Sequence, residues 1–265
     1  MTSLSVVIVV QDEERTIGRV LSAIKELCDE IVLVDSGSKD RTIDIATEYG
    51  ARVIHQPWLG YGAQKNFAID QASGDWILSL DADEIVTPPL AQEIKRVLAD
   101  AQANGLVNSL QGFRIPRVLF IGDVPLRHGG FFPDAQLRLF KKGAGKFNDR
   151  LVHEAVRVEG KVGVLSGEMH HFSYANEEGF AAAMEKYARL SAQEYQRQGK
   201  FGWRTNPINE AIHPVWTMFY RYVFRAGFLD GALGWRLNMI YGDYVRKKIR
   251  YLRELKGSKS VESGP

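Results

Sequence analysis

Asp81 and Asp83 stand one residue apart in Ser79-Leu80-Asp81-Ala82-Asp83-Glu84. Two carboxylates in one small volume are hard oxygen donors of the kind that Mg²⁺ or Mn²⁺ takes, with waters and phosphates filling the rest of the shell. The preceding residues 75–80 read as a buried strand, so the acids fall where that strand should end. In an open α/β sheet, the carboxyl ends of the strands face the crevice where ligands bind. Alternate residues point to opposite sides, so the pair can share one volume only if the backbone turns there. Taken alone, Asp83 or Glu84 would also suit the cap of a turn before the next helix.

The elements that must position these acids are legible upstream. Val6-Val7-Ile8-Val9-Val10 is a continuous β-branched run, the pattern of a strand buried on both faces of a parallel sheet. It ends in Gln11-Asp12-Glu13-Glu14, and a helix follows with Ile17, Val20, Leu21, Ile24 and Leu27 on one stripe. A second strand, residues 31–34, runs into Asp35-Ser36-Gly37-Ser38-Lys39-Asp40, where Ser38 or Asp40 is expected as a helix N-cap. A helix ending at Gly50, a short strand at 52–54, a Gly60-Tyr61-Gly62 turn and a helix over roughly 63–72 lead to the strand that carries the acid pair. This alternation of strands and helices predicts an α/β fold with a mostly parallel sheet and right-handed crossovers. No G-x-G-x-x-G follows the first strand and no G-x-x-x-x-G-K-[ST] occurs, so neither dinucleotide nor P-loop binding is supported.

Thr87-Pro88-Pro89 starts a further helix, packed through Leu90, Ile94, Val97 and Ala101. From about 111 to 171 short strands and turns are expected, holding Gly129-Gly130, Asp134, His153-Glu154 and His170-His171. Beyond 176 the chain reads helical, with Phe180, Met184, Tyr187, Ser191 and Tyr195 on a packed stripe. The length of 265 residues fits one large domain, or a core with an appendage. One cysteine, Cys28, excludes an internal disulfide framework and suits a reducing compartment. No basic segment precedes a long apolar run and no run approaches the ~18 apolar residues of a spanning helix, so neither a signal peptide nor a membrane span is expected. Residues 246–256 carry six Lys/Arg against one Glu, so the net charge of +2 belongs to the tail.

The stretches Val34-Asp35-Ser36-Gly37-Ser38-Lys39-Asp40, Gln64-Lys65-Asn66-Phe67-Ala68 and Leu80-Asp81-Ala82-Asp83 together resemble the GT-A fold glycosyltransferases of family 2. Within that family they are most similar to the bacterial lipopolysaccharide-core glucosyltransferases, over residues 3–175. The resemblance implies a GT-A domain over 1–175, with a nucleotide-binding half (1–85) and an acceptor half (86–175), then helices over 176–256 and a flexible tail over 257–265. It implies that Asp35 accepts a hydrogen bond from the nucleotide base. Relatives often carry a second acid after it, and here that residue is Ser36. Asp12-Glu13 stands where relatives read Asn-Glu, and Asp12 can still reach ribose or base. Lys65 would face the diphosphate. Asp81 and Asp83 would hold the metal–diphosphate, Asp83 more directly, with His171 joining the metal or the phosphate. Gly129-Gly130 resembles the loop that admits the acceptor. Two acids, Asp134 and Glu154, are candidates for the catalytic base. Glu154 is preferred, because Val152-His153-Glu154 follows a short glycine-containing loop where relatives place their acidic motif.

The implied reaction is an inverting, Mg²⁺- or Mn²⁺-dependent transfer of a hexose, glucose above all, from a nucleotide sugar, UDP-linked above all. The acceptor would be lipid-linked or a lipopolysaccharide-core saccharide (a glycolipid). A metal-dependent nucleotidyltransferase, or a non-catalytic membrane-anchored module binding a sugar nucleotide, would share the same nucleotide-binding half. The stretch from Ile208 to Leu255 interleaves Trp216, Phe219, Tyr220, Tyr222, Phe224, Phe228 and Trp235 with Arg221, Arg225 and Arg236, and the basic cluster follows. Rings at headgroup level and long basic side chains reaching phosphates suit a peripheral protein on the inner face of the cytoplasmic membrane. A helical subdomain packed on the core and a nucleic-acid patch are the other readings. No recognition motif accompanies the charge, so nucleic acid is not expected as a partner.

Overall fold

The computed structural model describes residues 2–103, 105–148 and 155–262, for 106 and 257–262 the backbone alone. Four parallel strands open the chain: β1 (Leu4–Val10), β2 (Glu30–Asp35), β3 (Arg52–His55) and β4 (Trp76–Asp81). The helices α1 (Ile17–Ile24), α2 (Thr42–Glu48) and α3 (Tyr61–Gln71) connect them. After β5 (Glu84–Val86) and α4 (Pro88–Gln102) come β6 (Leu110–Ile121), β7 (Val124–Leu126), β8 (Asp134–Lys141), β9 (Gly145–Phe147), β10 (Val156–Val158), β11 (Lys161–Val164) and β12 (Met169–Tyr174). The main sheet runs β3-β2-β1-β4-β8-β6-β12-β5. Its first four strands are parallel, and β8 joins β4 antiparallel.

The β-branched runs do what their pattern requires. Leu4, Val6, Ile8 and Val10 of β1 enter one buried cluster with α1 and α4, while Val7 enters a second with Ala68 and Ile69 of α3. A strand covered on both faces has no polar side to spare, hence its unbroken apolar sequence. In β4 the alternation puts Trp76, Leu78 and Leu80 on the α1–α4 side and Ile77 on the α3 side. The same parity turns Asp81 toward α3.

Thr87 caps α4 as expected, its Oγ1 accepting from the Leu90 N–H, and Leu90, Ile94, Val97 and Ala101 are all buried. Elsewhere the ends differ from expectation. α3 starts at Tyr61, with Gly60 (φ 102°) as its N-cap, so Gly62 lies inside the helix rather than in a turn. The N-cap position of α2 is Arg41, and Asp40 Oδ1 accepts from the N–H of Thr42, the first residue of α2, at 3.0 Å. The loop after β1 takes the other groups, Ser38 Oγ accepting from Asp12 N–H at 2.9 Å and Asp40 Oδ2 from Glu14 N–H at 3.0 Å. The expected strand at 113–115 is the middle of the twelve-residue β6, extended because β8 pairs along it.

The chain forms two compact units that do not follow its order. Among the described residues the first comprises 2–118, 133–148 and 155–172, and the second 119–132 and 173–262. Residues 119–132, expected within the acceptor half, therefore belong with the C-terminal helices. The second unit is built from a hairpin of Leu119–Ile121 with β7, together with α5 (Glu177–Arg197), α6 (Pro207–Phe219) and α7 (Gly231–Glu262). Ala188 of α5 packs with Tyr244, Val245 and Ile249 of α7. Phe180 and Ser191 are buried as expected, whereas Tyr187 is exposed, one position off the face turned to α7. The basic cluster is largely neutralised within this unit. Arg246 and Lys247 pair with Asp243, Lys247 also with Glu185, and Arg250 and Arg253 with Glu210. The apolar residues of α6 are the feature left facing solvent, with Ile208, Ile212, Val215, Trp216 and Phe219 all exposed. Among the described residues no helix is long and apolar enough to cross a membrane.

Candidate active site

The acid pair sits at the carboxyl end of β4, and its two members have different surroundings. Asp81 is the last residue of β4 and its side chain is 29% exposed. Its Oδ1 lies 2.6 Å from Lys65 Nζ, and its Oδ2 lies 2.5 Å from an Arg138 guanidinium nitrogen. Arg138 also reaches Glu84 Oε1 at 2.6 Å, and Arg117 reaches the same oxygen at 2.5 Å. Arg117 then pairs with Asp134, whose other oxygen accepts from Gln136 Nε2 at 2.6 Å. Three carboxylates and three cations thus alternate across β4, β5, β6, β8 and α3.

Burial alone would favour neutral forms here, and the ion pairs decide otherwise. Burial pushes Asp81 up, but Arg138 and Lys65 outweigh it and hold the carboxyl well below its usual range. Asp134 is likewise pushed up by burial and held low by Arg117. Burial works against the charge on Arg138, while Asp81 and Glu84 raise its pKa. Glu84, wholly buried, also closes the turn by accepting from the Asp81 N–H at 3.0 Å.

Asp83 stands apart from that network. Its Oδ2 lies 3.4 Å from His171 Nε2, and its carbonyl accepts from the Phe172 N–H at 2.9 Å, tying the β4–β5 turn to β12. Glu13 is close enough to feel it. Burial raises the Glu13 pKa, the hydrogen bond from Thr16 lowers it, and Asp83 raises it further. No cluster of three or more His, Cys, Asp or Glu able to hold a metal ion occurs among the described residues. Asp83 and His171 offer two donors, which suits a divalent cation that draws the rest of its shell from substrate phosphates and water.

The three residues Gln64-Lys65-Asn66 have three separate roles in α3. Gln64 is buried and donates to Gln56 O at 2.9 Å and Ser36 Oγ at 3.1 Å, while its Oε1 accepts from the Leu59 N–H. Lys65, only 12% exposed, turns to Asp81 and lies 5.1 Å from the Phe147 ring centroid. It is not a solvated helix lysine. Asn66 both accepts from the Phe147 N–H at 2.8 Å and donates to its carbonyl at 3.0 Å, holding β9 as a strand neighbour would.

Asp35 ends β2 and is almost wholly buried. It accepts from the N–H groups of Gly37 and Ser38 and lies 3.5 Å from His55 Nδ1. Burial raises its pKa, while the Ser38 and Gly37 hydrogen bonds bring it below the ordinary value. Asp12 is one of two described non-glycine residues with positive φ (57°), the other being Ala226. Its Oδ1 accepts from the Lys39 N–H at 2.7 Å, joining the loops after β1 and β2. Backbone strain of this kind collects at functional sites.

The first unit therefore brings Asp12, Glu13, Asp35, Lys65, Asp81, Asp83, Asp134 and His171 to the carboxyl ends of β1, β2 and β4 and the strands beside them. Gly129 (φ 64°) and Gly130 (φ 77°) lie in the second unit. Glu154 lies outside the described residues. Arg117 and Arg138 are missed from sequence, where Gln64 reads only as part of a motif and Glu84 only as a turn cap. Each is a charged or amide residue inside an otherwise apolar strand or helix face, which is the signal that could have marked them.

A family model described as Glycosyl transferase family 2 matches residues 5–142. Along nearly its whole length the chain is similar to the lipopolysaccharide core biosynthesis glycosyltransferase LpsC of Rhizobium meliloti. The two are 28% identical over 270 residues, 98% of this chain and 96% of that one. An uncharacterized glycosyltransferase of Rickettsia typhi is 29% identical over 266 residues, 96% of this chain and 88% of its own. Among solved structures, the mannosyltransferase PcManGT of Pyrobaculum calidifontis, in complex with GDP-Man and Mn²⁺, superposes with a TM-score of 0.55 at 14% identity. The match covers 95% of this chain and 87% of that one, and it shows a shared GT-A-like fold.

Proposed function

The chain belongs to glycosyl transferase family 2 and is a glycosyltransferase, and we propose that it transfers a hexose, glucose in the first instance, from a UDP-linked donor to a lipid-linked or lipopolysaccharide-core saccharide. The observation that carries this reading is the split acid pair, with Asp81 bound to Lys65 and Arg138 and Asp83 facing His171. The full-length likeness to LpsC supports the acceptor class. The catalytic domain would span residues 1–175 and the membrane-associating helices 176–256.

Asp83 and His171 would hold Mg²⁺ or Mn²⁺, with Asp81 behind them, and the bound cation would supply positive charge at the diphosphate. Lys65, Arg138 and Arg117 are fixed at the same strand ends by Asp81, Glu84 and Asp134, which balance their charge. Net positive charge at a departing diphosphate would therefore come from the cation, and Lys65 would supply a preoriented N–H donor. Asp35 and Asp12, held by the loops after β2 and β1, would contact base and ribose. An acceptor hydroxyl attacks the anomeric carbon from the face opposite the diphosphate, its proton passing to a carboxylate. Asp134, held low by Arg117, is a weak base in this arrangement. Glu154 keeps the assignment, and Asp134 orients Arg117.

The exposed apolar face of α6 is read as the surface that meets a lipid leaflet. Trp216, Phe219 and Tyr220, with Ile208, Ile212 and Val215, form the mixed aromatic and aliphatic face of an interfacial helix. Because Glu185, Glu210 and Asp243 neutralise most of the basic cluster, apolar burial rather than charge would dominate. The decisive experiment incubates the full-length protein with UDP-glucose and Mn²⁺, with and without chelator, and follows release of UDP. Chelator-sensitive release supports the reading. With UTP and glucose 1-phosphate in place of UDP-glucose, release of pyrophosphate would instead identify a nucleotidyltransferase, and no turnover or binding with any of these nucleotides would overturn both.

A further inference from the structure

Arg221 is a half-buried cation that forms no ion pair with a carboxylate among the described residues. It lies in a π-helical turn, Tyr220–Phe224, that follows α6, and the left-handed Ala226 (φ 53°) comes just after it. π-Turns inside helices cost hydrogen-bond geometry and recur at functional sites. Here the turn sends the guanidinium between two rings, 3.9 Å from the Tyr241 centroid and 4.4 Å from that of Phe131. Its Nε donates to Asn238 Oδ1 at 3.2 Å, and its Nη2 is buried with no hydrogen-bond partner.

Beside it is a second cation. Burial lowers the pKa of Arg221, Tyr241 raises it, and Arg225 lowers it. Among the described residues neither arginine forms an ion pair with a carboxylate. Asp230, the nearby acid in sequence, is held by the Arg127 and His128 N–H groups and by His128 Nδ1 at 2.9 Å. The Gly129-Gly130 turn closes the site. Gly129 N–H donates to Arg225 O at 2.8 Å, and a Cβ at Gly130 would lie 3.2 Å from Arg221 Nη1 and 3.8 Å from Arg225 Nε. Gly130, at positive φ, thus places no side chain against the two guanidinium groups, while Gly129 lies against Asn238 and Gly227.

An unpaired buried charge is expensive unless a counter-ion completes it. Two rings offset part of that cost by cation–π attraction, but they leave Nη2 unsatisfied and the Arg221–Arg225 repulsion uncompensated. We propose that Arg221, Arg225 and the Gly129-Gly130 turn form an oxyanion site in the second unit that takes a phosphate group. Guanidinium forks match phosphate oxygens in pairs, which a single lysine cannot do. The phosphate could be carried by a lipid headgroup or by a soluble phosphate ester. The site stands on residues of the second unit alone and does not depend on the donor chemistry proposed for the first.

Thermal unfolding of the full-length protein with inorganic phosphate, against sodium chloride at matched ionic strength, tests it. Phosphate should raise the midpoint of the wild type and of K65Q. In R221Q and R225Q the response should need about tenfold more phosphate, the expected consequence of losing charge-assisted hydrogen bonds. Arg225 is exposed, so R225Q keeps the test valid if R221Q folds poorly. Flotation on phosphatidylcholine vesicles with and without phosphatidic acid separates the sources. Preference for phosphatidic acid that R225Q loses identifies a headgroup, and a phosphate response without that preference identifies a soluble ester. An equal phosphate response in wild type, R221Q and R225Q, a response lost only in K65Q, or no response to either probe would overturn the proposal.

Discussion

Lys65 Nζ lies 2.6 Å from Asp81 Oδ1, so the first acid of the Asp-x-Asp pair is committed to a protein cation. Arg138 occupies its other oxygen. Asp83 shares neither partner and turns to His171. One residue of separation thus gives two functions: Asp81 sets the positions of Lys65 and Arg138, and Asp83 remains the carboxylate on the His171 side.

Asp81→Asn and Asp83→Asn should therefore fail in different ways. Removing the charge of Asp81 leaves Lys65 and Arg138 without their shared anion, a loss of about 2–4 kcal/mol for a partly buried pair. Asp83→Asn should change stability by less than about 1 kcal/mol and lower turnover by orders of magnitude. Urea unfolding read beside UDP release separates the two. Equal stability losses would show that the two acids share one network.

Acid should unfold the protein in a defined window. Burial raises the pKa of Glu30, but hydrogen bonds from Ser5, Ser73 and Arg52 bring it from 4.5 to about 2. Asp81 is depressed in the same direction. A depressed folded pKa contributes stability that is present above the unfolded value and lost as pH falls through the folded one. Glu30→Gln should thus destabilise at neutral pH, and its difference from the wild type should shrink from pH 4.5 toward pH 2. A constant difference across that range would remove the linkage.

The base assignment has a direct test. Glu154→Gln should abolish transfer while donor binding persists, because a base acts on the acceptor. Asp134→Asn should lower transfer more modestly, through a less ordered Arg117. Inactivity of Asp134→Asn with transfer retained in Glu154→Gln would exchange the two roles.

If α6 meets a lipid leaflet, a charge on its exposed face should release the protein. Ile212→Glu and Trp216→Glu change residues exposed to solvent, so the fold should be kept within about 0.5 kcal/mol. Flotation with phosphatidylcholine vesicles should fall for each, and raising salt should have a smaller effect than either substitution. Strong salt sensitivity with normal binding of the variants would favour the remaining basic residues instead.

Much of this protein follows from local sequence. The parallel start of the sheet is written in β-branched runs, since a strand covered on both faces cannot carry polar residues. Thr87-Pro88 marks the start of α4 because a hydroxyl acceptor and a fixed φ both suit a helix N-terminus. The Asp-x-Asp pair at a strand end, and the likeness of its neighbours to family 2 glycosyltransferases, are equally matters of short segments. Which partners the pair takes was decided by tertiary structure. Arg138 reaches Asp81 across 57 positions and Arg117 reaches Glu84 across 33, through antiparallel pairing that no local periodicity encodes. The basic cluster of α7 shows the converse: its charge is plain in the sequence, yet Glu185 and Glu210 arrive from α5 and α6 to neutralise it. Periodicity records which face of an element is buried. It does not record which distant charge will lie against that face, because the partner is chosen by strand register and helix packing.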